Sequence, residues 1–171
     1  SKFIDSHEMY NALTINSIFH SRNNLAKIFN HIQSTSKNDS VLRYIPKSLK
    51  SGELLNYCLQ FCKNNDIESG NNLIKALLTI SSERLLDVGV SFLSTEKILE
   101  MKSRNIIFGN HTHSHPILVH ESEGKVRDEI LRCDNFLLRL GLKPKYFAFP
   151  NGTYKDYHSK DVAILNNIGY S

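Results

Sequence analysis

Two short apolar runs separated by one long amphipathic helix constrain the fold of this chain more than any other feature. The first run is Ile106-Ile107-Phe108 and the second is Tyr146-Phe147-Ala148-Phe149. Both are rich in residues that favour strands, and both end at turn residues. The helix between them is predicted to begin after Ser122 and to end at Gly141. Strands joined through a helix pair in parallel, so the pattern predicts an α/β fold.

The segments that follow the two runs are expected to lie side by side. Functional residues of α/β proteins gather at the carboxyl ends of the strands, which meet at one edge of the sheet. His111 comes directly after the first strand and its closing Gly109-Asn110, and Pro150-Asn151-Gly152 closes the second strand. We therefore expect both segments on the same face of the sheet.

The first half of the chain has a different character. Residues 1 to about 93 form amphipathic patterns of helical period, without the Gly/Pro punctuation or β-branched runs of a sheet. A further short helix is predicted after Ser94, with Glu96 in its first turn. The helices predicted before it are Met9–Phe19, Leu25–Ile32, Leu49–Phe61 and Asn72–Leu86.

Composition excludes several classes of function. The 171 residues carry a formal net charge of +4, and their lysines and arginines are scattered, so we predict no nucleic-acid partner. No apolar run approaches the roughly 20 residues that a membrane span requires. The hydrophobic fraction of 40% is enough to build one buried core. The sequence therefore indicates a globular domain without a membrane span, and it leaves the oligomeric state open.

A histidine-rich turn is the main candidate for chemistry. Four of the eight histidines lie between residues 111 and 120. His111 and His115 are separated by three residues in a tight turn, so both rings can reach one divalent metal ion. His113 lies between them and is expected to point away or to hold the loop. Thr112 and Ser114 offer hydroxyl groups that can satisfy loop backbone groups or orient the ligands.

The turn after the second predicted strand is the other candidate. Pro150 is followed by Asn151 and Gly152, a combination that can expose a backbone N–H at the end of a strand. Such an N–H is the kind of group that binds an oxyanion in acyl transfer. Taken alone, the segment is also typical of an ordinary turn.

Together the two segments resemble motifs of the polysaccharide deacetylase family, the NodB-like domain of carbohydrate esterase family 4. The similarity covers residues 93–171. It implies part of a distorted (β/α) barrel, and it implies a metal-dependent N-deacetylase that hydrolyses acetamido groups on a polysaccharide or glycan. The similar segments are His111-Thr112-His113-Ser114-His115-Pro116 and Ala148-Phe149-Pro150-Asn151-Gly152.

The resemblance also assigns roles. His111 and His115 would be metal ligands, and Asn151, next to Pro150, would give its backbone N–H to the oxyanion. The cofactor would be one divalent ion, zinc in the first instance, with cobalt, nickel or manganese as alternatives. The partner would be an N-acetylated glycan. The resemblance suggests a bacterial cell-envelope or secreted location, and the residues themselves do not choose between this and the cytoplasm.

Several departures from the family pattern limit the assignment. The chain has no Asp-Asp pair, and Asp5 is the only early aspartate. Ala148 replaces the arginine of the third motif, and Asn151 replaces its tyrosine. We therefore expect a fragment that is inactive alone, because it lacks the general base and one metal ligand. We divide it into a helical region, 1–92, read as an insertion in the same domain, and a partial deacetylase core, 93–171.

Two other functions stay open. His111, His113 and His115 could alternate as ligands on an extended strand, as in metallohydrolases of the amidohydrolase type. The missing carboxylates also allow a non-catalytic, carbohydrate-binding or scaffold relative that keeps the fold without turnover.

Overall fold

The computed structural model describes residues 15–16, 18–19, 22–34, 42, 45–81 and 93–170, with the side chains of 22–24 left out. They fall into two compact units, one within Glu8–Val90 and the other within Ser91–Ser171. Among the helices of these residues, none has the length and apolar composition needed to cross a bilayer. The predicted Met9–Phe19 helix lies mostly outside the described residues, as do Asp5 and the end of the predicted Asn72–Leu86 helix.

The first unit is helical, as predicted. Its described helices include α1 (Arg22–Ser34), α2 (Ser51–Asn64) and α3 (Ile67–Ser81), and each of these contacts the other two. Helix α3 begins earlier than the apolar pattern predicted because Asp66 caps it: the Ser69 N–H and hydroxyl both donate to the Asp66 carboxylate, at 2.9 and 2.8 Å. The core residues of this unit include Ile15, Ile28, Leu54, Cys58, Leu73 and Leu77.

The second unit contains α4 (Thr95–Ser103), a 3-10 turn (Leu118–His120), α5 (Glu123–Arg139) and α6 (Ser159–Ile168). The predicted N-caps are confirmed, because the Ser94 and Ser122 hydroxyl oxygens accept the N–H groups of Lys97 and Lys125. The predicted stop at Gly141 is also confirmed: α5 gives way to a turn in which Gly141 has a φ of 69°.

Helix α5 joins two apolar clusters of this unit. Val126 and Ile130, both fully buried, pack with Leu118, Ile164 and Leu165. About two turns further on, Leu137 packs with Ile98 and Leu142. The helix therefore supplies the apolar stripe that the sequence predicted, and its remaining inward positions face the segment after residue 109.

The two predicted strands meet in parallel, but over one residue pair only. Asn110 bridges to Phe147, through Asn110 N–H to the Tyr146 carbonyl at 2.8 Å and Ala148 N–H to the Asn110 carbonyl at 2.9 Å. The described residues contain no regular strand, so they do not themselves form a barrel. Residues 106–108 were predicted to be buried, and this prediction is wrong. Ile107 is 75% exposed, because no described segment covers this part of the chain.

Substitution of Gly109 tests this close pairing. A Cβ at residue 109 would lie 2.9 Å from the Tyr146 carbonyl oxygen, so Gly109→Ala must push the two segments apart. We expect a loss of about 1–3 kcal/mol in the free energy of unfolding, as for other overpacked sites. Gly124→Ala is the matched control, because nothing lies within 4 Å of its Cβ and alanine favours helix. Urea unfolding of both variants checks the prediction, and equal stability of the two would contradict it.

Candidate functional site

His111 and His115 point their rings at each other. The ring centroids are 4.6 Å apart with an interplanar angle of 76°, and the two Nε2 atoms are 2.9 Å apart. Two nitrogens bound to one zinc ion at 2.0–2.1 Å are separated by roughly 2.8–3.4 Å for ordinary bond angles. The observed separation falls in that range, so the pair fits two adjacent positions around one ion.

The tautomer of His111 is fixed by its other ring nitrogen. Nδ1 lies 2.7 Å from the carbonyl oxygen of Ala148. A carbonyl oxygen can only accept a hydrogen bond, so Nδ1 carries the proton and the neutral ring keeps its lone pair on Nε2. This is the tautomer that a metal ligand needs, and the contact is of the kind that orients ligating histidines. A proton or a cation must lie between the two Nε2 atoms, because two lone pairs at 2.9 Å would repel each other.

The turn between the two histidines is not extended. Thr112 and His115 have φ angles of 68° and 59°, in the left-handed region that non-glycine residues seldom adopt. The Thr112 N–H donates to the Asn110 side-chain oxygen at 2.8 Å, and the His115 N–H donates to the Thr112 hydroxyl oxygen at 3.0 Å. The backbone therefore lacks the alternation that the amidohydrolase-type alternative requires of His111, His113 and His115.

A buried carboxylate that sequence analysis missed lies under this turn. Glu129, on α5, is fully buried. Its oxygens accept the N–H of His113 at 3.1 Å, the N–H of Ser114 at 2.7 Å and the Ser114 hydroxyl at 2.7 Å. The Lys125 ammonium lies 3.2 Å away. The signal was present in the sequence, since an acid stands among the apolar positions of the α5 stripe.

These donors keep Glu129 ionised. Burial alone raises the pKa of its carboxyl group, but the two hydrogen bonds from Ser114 and the neighbouring Lys125 ammonium outweigh burial and lower the pKa below its ordinary value. Burial also raises the pKa of the Cys133 thiol, one turn further along α5, against a hydrogen bond from the His111 N–H that lowers it. Two residues one turn apart on α5, Glu129 and Cys133, thus contact the backbone of the histidine turn.

Asn110 connects the turn to α5 from the other side. Its side chain is 1% exposed, and its amide nitrogen donates to the Ile130 carbonyl at 2.9 Å and to the Asp134 carboxylate at 2.8 Å. The Tyr170 hydroxyl donates to the same carboxylate. Burial and this acidic partner raise the pKa of Tyr170. The residue that pairs with Phe147 therefore also anchors the start of the histidine turn.

The Pro150-Asn151-Gly152 segment forms a tight corner. The Gly152 N–H donates to the Pro150 carbonyl at 2.8 Å, and Asn151 between them has a φ of 60°. Among the described residues, no acceptor is bonded to the Asn151 N–H. The structure brings this corner next to the histidine turn, because His111 binds the carbonyl of Ala148, two residues before Pro150.

The described residues supply only part of a metal centre. They contain no group of three or more His, Cys, Asp or Glu side chains that could hold an ion. Glu129 faces the backbone of the turn rather than the paired ring nitrogens, which leaves two imidazoles as the fitting ligands. Asp5, the early aspartate, lies outside the described residues.

The described geometry is thus a histidine pair that follows a parallel bridge and lies next to a proline corner. The sequence model of the family described as polysaccharide deacetylase matches residues 63–171, more than half of the chain. The chain therefore belongs to the polysaccharide deacetylase family, and this supports a deacetylase-type activity on carbon–nitrogen bonds. The match begins in the last residues of α2 and so reaches into the helical region. Among curated proteins and solved structures, none matches this chain.

Proposed function

We propose that this chain carries the histidine half of the metal centre of an N-deacetylase that acts on an N-acetylated glycan. The observation that carries the proposal is the 2.9 Å separation of the His111 and His115 Nε2 atoms, which suits one divalent ion. Membership of the polysaccharide deacetylase family supports the reaction class. The third ligand and the general base belong, in this proposal, to residues outside those described.

The roles of the chain's own residues follow from their contacts. The divalent ion, for which we propose zinc with cobalt, nickel or manganese as alternatives, supplies Lewis acidity toward the acetamide carbonyl. His111 offers Nε2 because its Nδ1 proton is held by Ala148, and His115 offers the second nitrogen. Asn151, in the corner after Pro150, gives its backbone N–H to the oxyanion.

Membership of the polysaccharide deacetylase family also supports a fold and a cellular location for this protein. We propose that residues 93–171 are part of a distorted (β/α) barrel, to which the Asn110–Phe147 bridge contributes one parallel contact, and that 1–92 is a helical insertion. A secreted or cell-envelope location in a bacterium fits a polymeric substrate.

A non-catalytic, carbohydrate-binding relative is the second candidate. The observation in its favour is that the described residues hold no third ligand beside the two histidines. Such a protein would bind glycan without releasing acetate.

Acetate release separates the two candidates. We expect this chain alone to release no acetate from N-acetylated chito-oligosaccharides or peptidoglycan fragments. We expect the full reading frame that contains it to release acetate in a zinc-dependent manner. In that longer protein, His111→Ala should abolish release, whereas His31→Ala, an exposed position on α1, should leave it unchanged. Glycan binding without acetate release by the full protein would contradict the deacetylase proposal and favour the non-catalytic relative.

A further inference from the structure

Glu129 is a fully buried charge that the proposed reaction does not use. Acidic side chains are almost never fully buried unless they are paired and hydrogen-bonded. Glu129 meets this condition with donors from two sources, the histidine turn and Lys125 on its own helix. Hydrogen bonds to an ionised acceptor are about twice as strong as neutral ones, so the turn is held firmly to α5.

The bonds of Glu129 fall on the part of the turn that separates the two rings. One oxygen, Oε2, accepts the successive N–H groups of His113 and Ser114, and Oε1 accepts the Ser114 hydroxyl. Two successive N–H groups that converge on one acceptor form an anion-binding concavity of the backbone, and here the anion is built into the protein. The neighbouring N–H groups of Thr112 and His115 also go to side-chain oxygens.

The turn therefore depends on side chains for its shape. From Thr112 to His115, each of the four successive N–H groups is bonded to a side-chain oxygen. Half of these bonds go to Glu129. Without the carboxylate, two buried donors lose their acceptor, and the left-handed conformations at Thr112 and His115 lose part of what stabilises them.

We infer that Glu129 is a positioning residue that sets the spacing of the His111 and His115 Nε2 atoms. The inference rests on the proposed function in one respect, since it takes that spacing to serve a divalent ion. The carboxylate acts through the backbone of His113 and Ser114 and binds no ion itself. A site whose two ligands are preset in this way loses less conformational entropy when the ion binds.

The test is Glu129→Gln, with Asp128→Asn as the matched control. Asp128 is the preceding residue on α5, its side chain is half exposed, and its substitution removes the same charge. Glutamine keeps one oxygen for the two N–H groups but sets an NH2 group against Lys125. We expect the affinity of the chain for Zn²⁺, measured by competition with a chromophoric chelator, to fall about 10-fold or more in Glu129→Gln. Asp128→Asn should change it less than 2-fold, within the small effect of a surface charge.

A second readout needs no metal. In the ion-free chain, the imidazole ¹⁵N shifts should show His111 protonated at Nδ1, and Glu129→Gln should move the Nε2 shifts of both rings because their separation changes. If Glu129→Gln does not fold by circular dichroism, Ser114→Ala removes only the hydroxyl that donates to Oε1, and it should give the same changes at smaller size. A folded variant with wild-type ring shifts and wild-type affinity overturns the inference, as does an equal loss in Asp128→Asn. If the wild-type chain binds no Zn²⁺, the metal proposal fails, and the ring shifts still decide the role of Glu129.

Discussion

Alanine at either His111 or His115 is expected to lower the affinity of the chain for Zn²⁺ by about 100-fold, or roughly 2.8 kcal/mol. The reason is geometric, because the Nε2 atoms of these two rings lie 2.9 Å apart and each supplies one of the two ligands of the proposed site. Isothermal titration of the metal-free chain with Zn²⁺ and with Co²⁺ measures the change. For cobalt, the visible absorption band gives an independent report of the nitrogen ligands.

His113→Ala is the control within the same turn. The described contact of His113 with Glu129 uses its backbone N–H, which alanine retains. We therefore expect His113→Ala to keep most of the affinity. Equal losses at all three histidines would contradict the paired arrangement and would favour the alternating ligands of an amidohydrolase-type site.

Asn110→Ala is expected to destabilise the unit within Ser91–Ser171 by about 2–4 kcal/mol. The substitution removes three hydrogen bonds of a buried side chain and leaves the Thr112 N–H and the Ile130 carbonyl without this partner. A buried polar group left unsatisfied costs about 1–3 kcal/mol. Because the chain has two compact units, stability is best measured by hydrogen exchange of amides in α5, such as those near Ile130.

Asn135→Ala gives the comparison for this prediction. Asn135 is exposed on the same helix, where alanine has the higher helix propensity, so its substitution should leave exchange unchanged or slightly slower. If Asn110→Ala lowers the free energy of exchange of these amides by less than about 0.5 kcal/mol, the hydrogen bonds of Asn110 do not stabilise the turn.

Local signals predicted the helical parts of the molecule well. Ser94 and Ser122 cap their helices as predicted, and Gly141, with a φ of 69°, follows the end of α5 as predicted. Caps depend on one side chain and the nearest three residues, so a sequence displays them directly. The same locality explains why Arg22–Ser34 agrees closely with the predicted Leu25–Ile32 helix.

Features that depend on partners far along the chain were harder to predict. Parallel pairing of the two segments was expected, but its restriction to the Asn110–Phe147 pair was not, because the extent of pairing depends on residues far apart along the chain. Glu129 was missed for a related reason. Its role depends on two N–H groups 15 and 16 residues earlier, and no spacing rule connects a helical acid to the backbone of a turn.

Ala148 links the histidine turn to the corner at Pro150. Its N–H donates to the carbonyl of Asn110, and its carbonyl accepts the Nδ1 proton of His111. Both bonds use main-chain atoms of residue 148, so they do not depend on which side chain stands at this position. A displacement of the proline corner would therefore also move the imidazole of His111, and with it the 2.9 Å spacing between the two Nε2 atoms.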